Sequence, residues 1–287
     1  MKIGFIGLGT MGAPMAANIV KKHDDTVYVW NRTQNKTEPL VQAGAFAVSS
    51  PQELAEKSDI IITIVTASSD SVEVWSSILE RIRPGKIGID MSTIDPSVSI
   101  RLSEHVKKRG GQFLDAPVVK SQPAAVAGTL GIYVGGDASV YQTVEPILRY
   151  MGENVIYLGP NGNGLVMKIC HNALVSQIQN GVNETVNLAE KNGIDIATFA
   201  KAASYGGAQN FYLDSKKEVL EHQDFTPAFS IKNMNKDVQI ALNLAQESHA
   251  DLSAEKVVAE VYRSALEQGY GEEDFSATYK VVRDKKV

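Results

Sequence analysis

Near the amino terminus, three glycines are spaced as a backbone would need them to wrap a diphosphate. The stretch Gly7-Leu8-Gly9-Thr10-Met11-Gly12 follows an apolar run, Ile3–Ile6. After it, apolar residues recur at helical spacing: Met11, Met15, Ile19 and Val20. Strand, glycine turn and helix in that order give each glycine its own task. Gly7 permits the tight turn, Gly9 lets the backbone approach a pyrophosphate, and Gly12 lets the helix pack closely on the strand. The free N–H groups and positive end of the helix then face the diphosphate. Leu8, Thr10 and Met11 belong to the same binding turn.

A second apolar strand, Thr26–Trp30, runs into Asn31-Arg32-Thr33-Gln34-Asn35-Lys36. In dinucleotide folds an acidic residue about 20 positions past the glycines binds the adenosine ribose 2′-OH and repels a 2′-phosphate. Asn31, 19 positions past Gly12, is neutral. Arg32, Thr33 and Lys36 offer a guanidinium fork, a hydroxyl and an ammonium, which suit a phosphate dianion. This pattern predicts that NADP(H) is preferred and NAD(H) accepted.

The length of 287 residues allows one large domain or two smaller ones. A net charge of −5 leaves no basic stripe for nucleic acid, and Lys285-Lys286 after Arg283 reads as a solvated tail. The single cysteine, Cys170, excludes an intrachain disulfide and a cysteine-rich zinc site, and fits a reducing compartment. The five histidines show no His-x-x-x-His pair, so no metal site is expected. No run approaches ~18 uninterrupted apolar residues. The expectation is a soluble cytoplasmic protein without membrane or nucleic-acid partners.

Further strands are expected at Gly44–Val48, Asp59–Thr66, Ile87–Asp90 and Gln112–Ala116, with Val126–Val134 and Asn154–Leu158 completing the sheet. The β-branched run Ile60–Val65 suits a parallel strand buried on both faces. Helices at Pro51–Lys57, Ser71–Arg81, Pro96–Arg109 and Ser139–Met151 connect these strands. The cluster Gly159-Pro160-Asn161-Gly162-Asn163-Gly164 is a strong breaker. Beyond it, helical patterns take over: Leu165–Asn192, Asp195–Tyr205, Asp214–Glu221, Lys232–Ser248 and Ala254–Gln268. The first would run ~42 Å, enough to serve both domains and a subunit partner. The fold class is therefore α/β: a Rossmann-type, doubly wound, mostly parallel sheet over residues 1–162, then an all-α domain over 163–287 for substrate binding and dimerisation.

These motifs together resemble the β-hydroxyacid dehydrogenase family, which includes 3-hydroxyisobutyrate dehydrogenases and semialdehyde reductases. The resemblance runs through the glycine turn with Met15-Ala16-Ala17-Asn18, then Asp90-Met91-Ser92-Thr93, Asp115-Ala116-Pro117-Val118 and Gly128-Thr129-Leu130. It continues through Gly164-x-x-x-Lys168-x-x-x-Asn172 and Lys236-Asp237. It implies that Lys168 is the catalytic acid/base and that Asn172 helps hold the substrate. The two are i and i+4 on one helix face. An ammonium there would stabilise and protonate the alkoxide formed when hydride reaches a carbonyl. His171, at i+3, is the rival acid/base or a substrate contact. The resemblance further implies cofactor contacts at Val65, Thr93 and Lys236, with Ser92 at the substrate edge.

The recognition loop departs from the family. Where the family places Ser-Gly-Gly after Asp-Ala-Pro-Val, this chain has Val119-Lys120-Ser121. That is similar to sulfolactaldehyde reductases, which place a cation and a hydroxyl at the last two positions. Lys120 and Ser121 are accordingly expected to bind the anionic end of the substrate, a sulfonate or a carboxylate. The sequence thus predicts an NADPH-preferring enzyme that reversibly reduces a short anionic aldehyde, sulfolactaldehyde before a 3-hydroxyisobutyrate-, succinic or tartronate semialdehyde-type carboxylate, acting as a homodimer or homotetramer. The alternatives are an imine reductase, whose relatives generally lack the catalytic lysine, and a dinucleotide-binding protein without activity.

Overall fold

Short β-branched and aromatic runs become strands because both their faces are covered. In the computed structural model, which describes residues 1–284, nine strands form. They are β1 (Ile3–Ile6), β2 (Val27–Trp30), β3 (Phe46–Ala47), β4 (Ile60–Thr63), β5 (Ile87–Asp90), β6 (Gln112–Asp115), β7 (Val118–Val119), β8 (Leu130–Val134) and β9 (Gly152–Tyr157). The chain divides into two units, Met1–Lys168 and Ile169–Val287.

In the first unit, six parallel strands follow the order β3-β2-β1-β4-β5-β6, the doubly wound order of dinucleotide folds. β1, β4 and β5 are buried along their whole length, as strands covered by helices on both faces must be. Register aligns their carboxyl ends: Trp30 and Thr63 flank Ile6, Thr63 pairs with Asp90, and Asp90 pairs with Asp115. The segments holding Gly7–Gly12, Asn31–Lys36, Val65 and Ser92–Thr93 therefore all leave one edge of the sheet, whereas Lys120 follows β7 of a second sheet.

The last strands do not complete that sheet. β7, β8 and β9 form a separate three-stranded sheet, with β7 antiparallel and β9 parallel to β8. Pro117 cannot donate to a continuing ladder, and the chain turns there. A bridge between Asp115 and Gly135 joins the two sheets. Residues 122–127, whose end was expected to be strand, form a helix. Pro123 suits its first turn, and Gly128, at φ +70°, closes it in the left-handed conformation. Asn18 of the Gly12–Lys22 helix donates to the carbonyls of Ala125 (2.8 Å) and Val126 (3.2 Å), tying the two helices together.

The helix expected at 165–192 spans Asn163–Lys191. The unit division falls inside it, after Lys168 and four residues past the breaker cluster's Gly164, because its first turns belong with the sheet. Leu165 is fully buried in one cluster with Ile6, Trp75 and Phe113. The second unit is helical: Ile196–Ala203, Phe211–His222, Ile231–Glu247, Ser253–Glu267 and Thr278–Asp284 pack around Tyr262, Tyr279, Val238 and Met234. The terminal helix, Thr278–Asp284, is too short to show a period in the sequence. Its Arg283 pairs with Asp284 at 2.9 Å, while Lys285-Lys286 lie outside the described residues.

Candidate functional site

Steric contact explains the glycine spacing. Gly7 sits at φ +100°, and a Cβ there would lie 2.0 Å from the Ile64 carbonyl oxygen. A Cβ on Gly12 would lie 1.9 Å from the Gly7 oxygen, so only glycine lets the helix begin against the turn. A Cβ on Gly9 would meet nothing within 4 Å. Nothing inside the protein requires glycine there, which is what a backbone approached from outside needs. Gly9 and Thr10 are exposed and Met11 half-buried. The helix that follows has no side-chain cap and no acidic residue in its first turn, so its positive end is neither capped nor neutralised there. These residues fit the diphosphate of a dinucleotide.

Asn31, expected among the cofactor contacts, is half-buried and hydrogen-bonds within the protein through both side-chain polar atoms. Its Oδ1 accepts from the Leu8 amide at 2.8 Å and its Nδ2 donates to the Thr33 carbonyl at 2.9 Å. Asn31 thus clamps the glycine turn to the end of β2, and the buried Leu8 gives its N–H to that clamp. Arg32, Thr33 and Lys36 are exposed beyond it, and no carboxylate among the described residues pairs with either cation.

Ser92 is likewise engaged within the protein. Expected at the substrate edge, it is only 1% exposed, and its Oγ accepts the Val65 amide at 2.8 Å. The Ser92 amide donates to Asp90 at 3.0 Å, and the Ser71 hydroxyl donates to the other Asp90 oxygen. Burial pushes the Asp90 carboxyl above its usual range, against the hydrogen bond from Ser71. The group joins the loops after β4 and β5 and fixes the backbone of Val65 and Thr93, both half-buried.

Lys120 does not offer a free cation to an anion. Its Nζ donates to the Thr129 carbonyl at 2.7 Å and pairs with Glu153 at 2.9 Å. Its backbone, at φ +79°, adopts the left-handed conformation that favours glycine, the residue type the family resemblance implies here. Ser121 is exposed at the start of the short helix that follows.

The Asn163–Lys191 helix carries Lys168, His171 and Asn172. Lys168 and His171 are half-buried, and Asn172 is buried. Within the helical unit, Asn172 Nδ2 donates to Asp237 Oδ2 at 2.6 Å. The Lys236 ammonium lies 2.8 Å from Asp237 Oδ1 in a charge contact without hydrogen-bond alignment. Asp237 is 1% exposed, so the late Lys-Asp pair is not a plain surface pair. It orients the asparagine amide. At the other end of the helix, Asp115 Oδ1 accepts the Gly162 amide at 2.7 Å and Oδ2 accepts the Leu165 amide at 3.0 Å. Sequence reasoning gave neither aspartate a role. An acid at the end of a strand beside proline, and one next to a motif lysine, were the available signals.

Both halves of the chain match known protein families. Residues 2–159 match a model described as the NAD-binding domain of 6-phosphogluconate dehydrogenase. Residues 162–282 match one described as NAD-binding of NADP-dependent 3-hydroxyisobutyrate dehydrogenase. The mitochondrial 3-hydroxyisobutyrate dehydrogenase of Rattus norvegicus is 34% identical, covering 99% of this chain and 88% of its own. Glyoxylate/succinic semialdehyde reductase 1 of Arabidopsis thaliana is 32% identical, covering 99% of both. The solved Mycobacterium tuberculosis 3-hydroxyisobutyrate dehydrogenase with L-serine superposes with a TM-score of 0.91 at 27% identity, covering 98% of this chain and 99% of that one.

The Lys120 backbone gives a stability test. Its left-handed conformation costs a non-glycine residue ~1–2 kcal/mol, and an exposed pair such as Lys120–Glu153 contributes ~0–1 kcal/mol. In urea unfolding, Lys120→Gly should match or exceed wild-type stability, whereas Lys120→Ala keeps the strain, loses the pair and should be the less stable variant. An alanine variant as stable as the glycine variant would contradict this account of the loop.

Proposed function

The chain belongs to the β-hydroxyacid dehydrogenase family, an NAD(P)-dependent enzyme family, and on that premise we propose that it reduces a short carboxylate-bearing aldehyde with NADPH, reversibly. The observation that carries the cofactor preference is Arg32, exposed and unpaired by any described carboxylate just beyond the neutral Asn31 clamp. A guanidinium there favours a 2′-phosphate, and no acidic residue stands at the position that would repel one.

When bound, the nicotinamide supplies or accepts the hydride. Lys168 holds the carbonyl oxygen through its ammonium, stabilises the charge that grows there, and gives up its proton to form the hydroxyl. In the oxidative direction the neutral amine takes that proton back. Asn172, whose amide Asp237 fixes, helps hold the substrate. The engagement of Lys120 with Glu153 and Thr129 favours a carboxylate over a sulfonate at the anionic end. The relatives named 3-hydroxyisobutyrate dehydrogenase and glyoxylate/succinic semialdehyde reductase support the same choice.

Two steady-state measurements test the proposal. Arg32→Asp should raise the KM for NADPH roughly 10–100-fold, the equivalent of ~1.5–3 kcal/mol for a charged hydrogen bond, while NADH use holds or improves. A wild-type enzyme that already uses NADH better would overturn the cofactor assignment. Across succinic semialdehyde, tartronate semialdehyde and sulfolactaldehyde, kcat/KM should be highest for one of the two carboxylates. A clear preference for sulfolactaldehyde would restore the sulfonate reading of the Lys120 loop.

A further inference from the structure

We infer that Asp115 is a positioning residue for Lys168: its carboxylate sets the first turn of the helix from which that lysine projects. Asp115 is 0% exposed, and no lysine or arginine among the described residues pairs with it. Its two oxygens instead divide between the Gly162 amide (2.7 Å) and the Leu165 amide (3.0 Å). These are N–H groups that a starting helix leaves without internal partners. The backbone of the same residue is held on the sheet side, donating to the Gly135 oxygen at 3.0 Å and accepting the Gly135 amide at 2.8 Å. Asp115 therefore fastens the helix start to the junction of the two sheets through both its main chain and its side chain.

The neighbouring glycines show how closely the parts approach. A Cβ on Gly164 would lie 2.5 Å from the Tyr133 oxygen and 2.8 Å from Asp115 Oδ2. One on Gly135 would lie 2.8 Å from both carboxylate oxygens. The helix start is thus seated against the sheets with no space for a side chain at either point. Lys168 follows Gly164 by four residues, so in the helix its amide bonds to the Gly164 carbonyl. Displacing Gly164 displaces Lys168 with it. A misplacement of ~1 Å at a reacting group can cost ~10²-fold in rate, so a small shift of this turn has a large readout.

The inference rests on the assignment of Lys168 as acid/base, and a double-mutant cycle separates the two. Asp115→Asn keeps the shape but turns one acceptor into a donor facing an N–H. Gly164→Ala leaves the carboxylate intact and pushes the helix start off it. Each is made alone and with Lys168→Ala, with folding checked by thermal melting and NADPH affinity by fluorescence titration. In the wild-type background both variants should lower kcat ~10–100-fold, with NADPH affinity within about twofold, because the glycine turn lies elsewhere on the sheet. Lys168→Ala alone should lower kcat ~10²–10⁴-fold. In that background either second change should matter less than about twofold, there being no lysine left to misplace. Equal losses in both backgrounds, or unchanged kcat in the Lys168-containing variants, would overturn the positioning role. Near wild-type turnover by Lys168→Ala alone would overturn the acid/base assignment itself, and the positioning role with it.

Discussion

One buried carboxylate joins the sheet of this protein to the helix that bears its candidate acid/base. Taking the Asp115 carboxylate out of water is costly, and burial pushes its pKa upward. The hydrogen bonds from Gly162 and Leu165 work in the opposite direction, as does the positive end of the helix they belong to. The arrangement is stable because each side supplies what the other lacks. The helix start has amides without acceptors, and the carboxylate has lone pairs without water. The glycines at 135 and 164 are consequences of that contact, since a side chain at either would separate the parts.

The same economy recurs along the functional edge of the sheet. Parallel register brings the ends of β1, β2, β4, β5 and β6 to one level. Loops leaving that level hold their shape through polar side chains turned inward. Asn31 clamps the glycine turn to β2, Ser92 clamps the loop after β4 to the one after β5, and Asp90 anchors Ser92. In the helical unit, Asp237 does this for Asn172. Gly9, Thr10, Arg32 and Lys36 stay exposed on these fixed loops, as groups meant for a ligand must be.

Much of this was legible in the sequence. The six parallel strands, the glycine turn, the breaker near residue 160 and the helical second half follow from periodicity, β-branching and turn chemistry, which are local properties. The separate three-stranded sheet was not, because strand pairing after Pro117 is decided by contacts distant in the chain. Residues 126–127 looked like the start of a strand because a short apolar run lacks a period of its own. For the candidate site residues, the sequence shows which polar groups are present but not which way they face. Asn31, Ser92 and Lys120, expected as ligand contacts, each make side-chain hydrogen bonds within the protein that sequence spacing does not show. Asp115 and Asp237 were visible only as parts of a family pattern, since their partners stand 47 to 65 residues away.

The claim on which the rest depends is that the Asp115 carboxylate holds the Gly162 and Leu165 amides in solution. Native-state hydrogen exchange at those two amides tests it directly. In the wild type both should exchange as slowly as the amides of the central strands β1 and β4, and in Asp115→Asn at least one should exchange far faster while the strand amides keep their protection. Rapid exchange of both amides in the wild type, or protection unchanged by the substitution, would contradict the account.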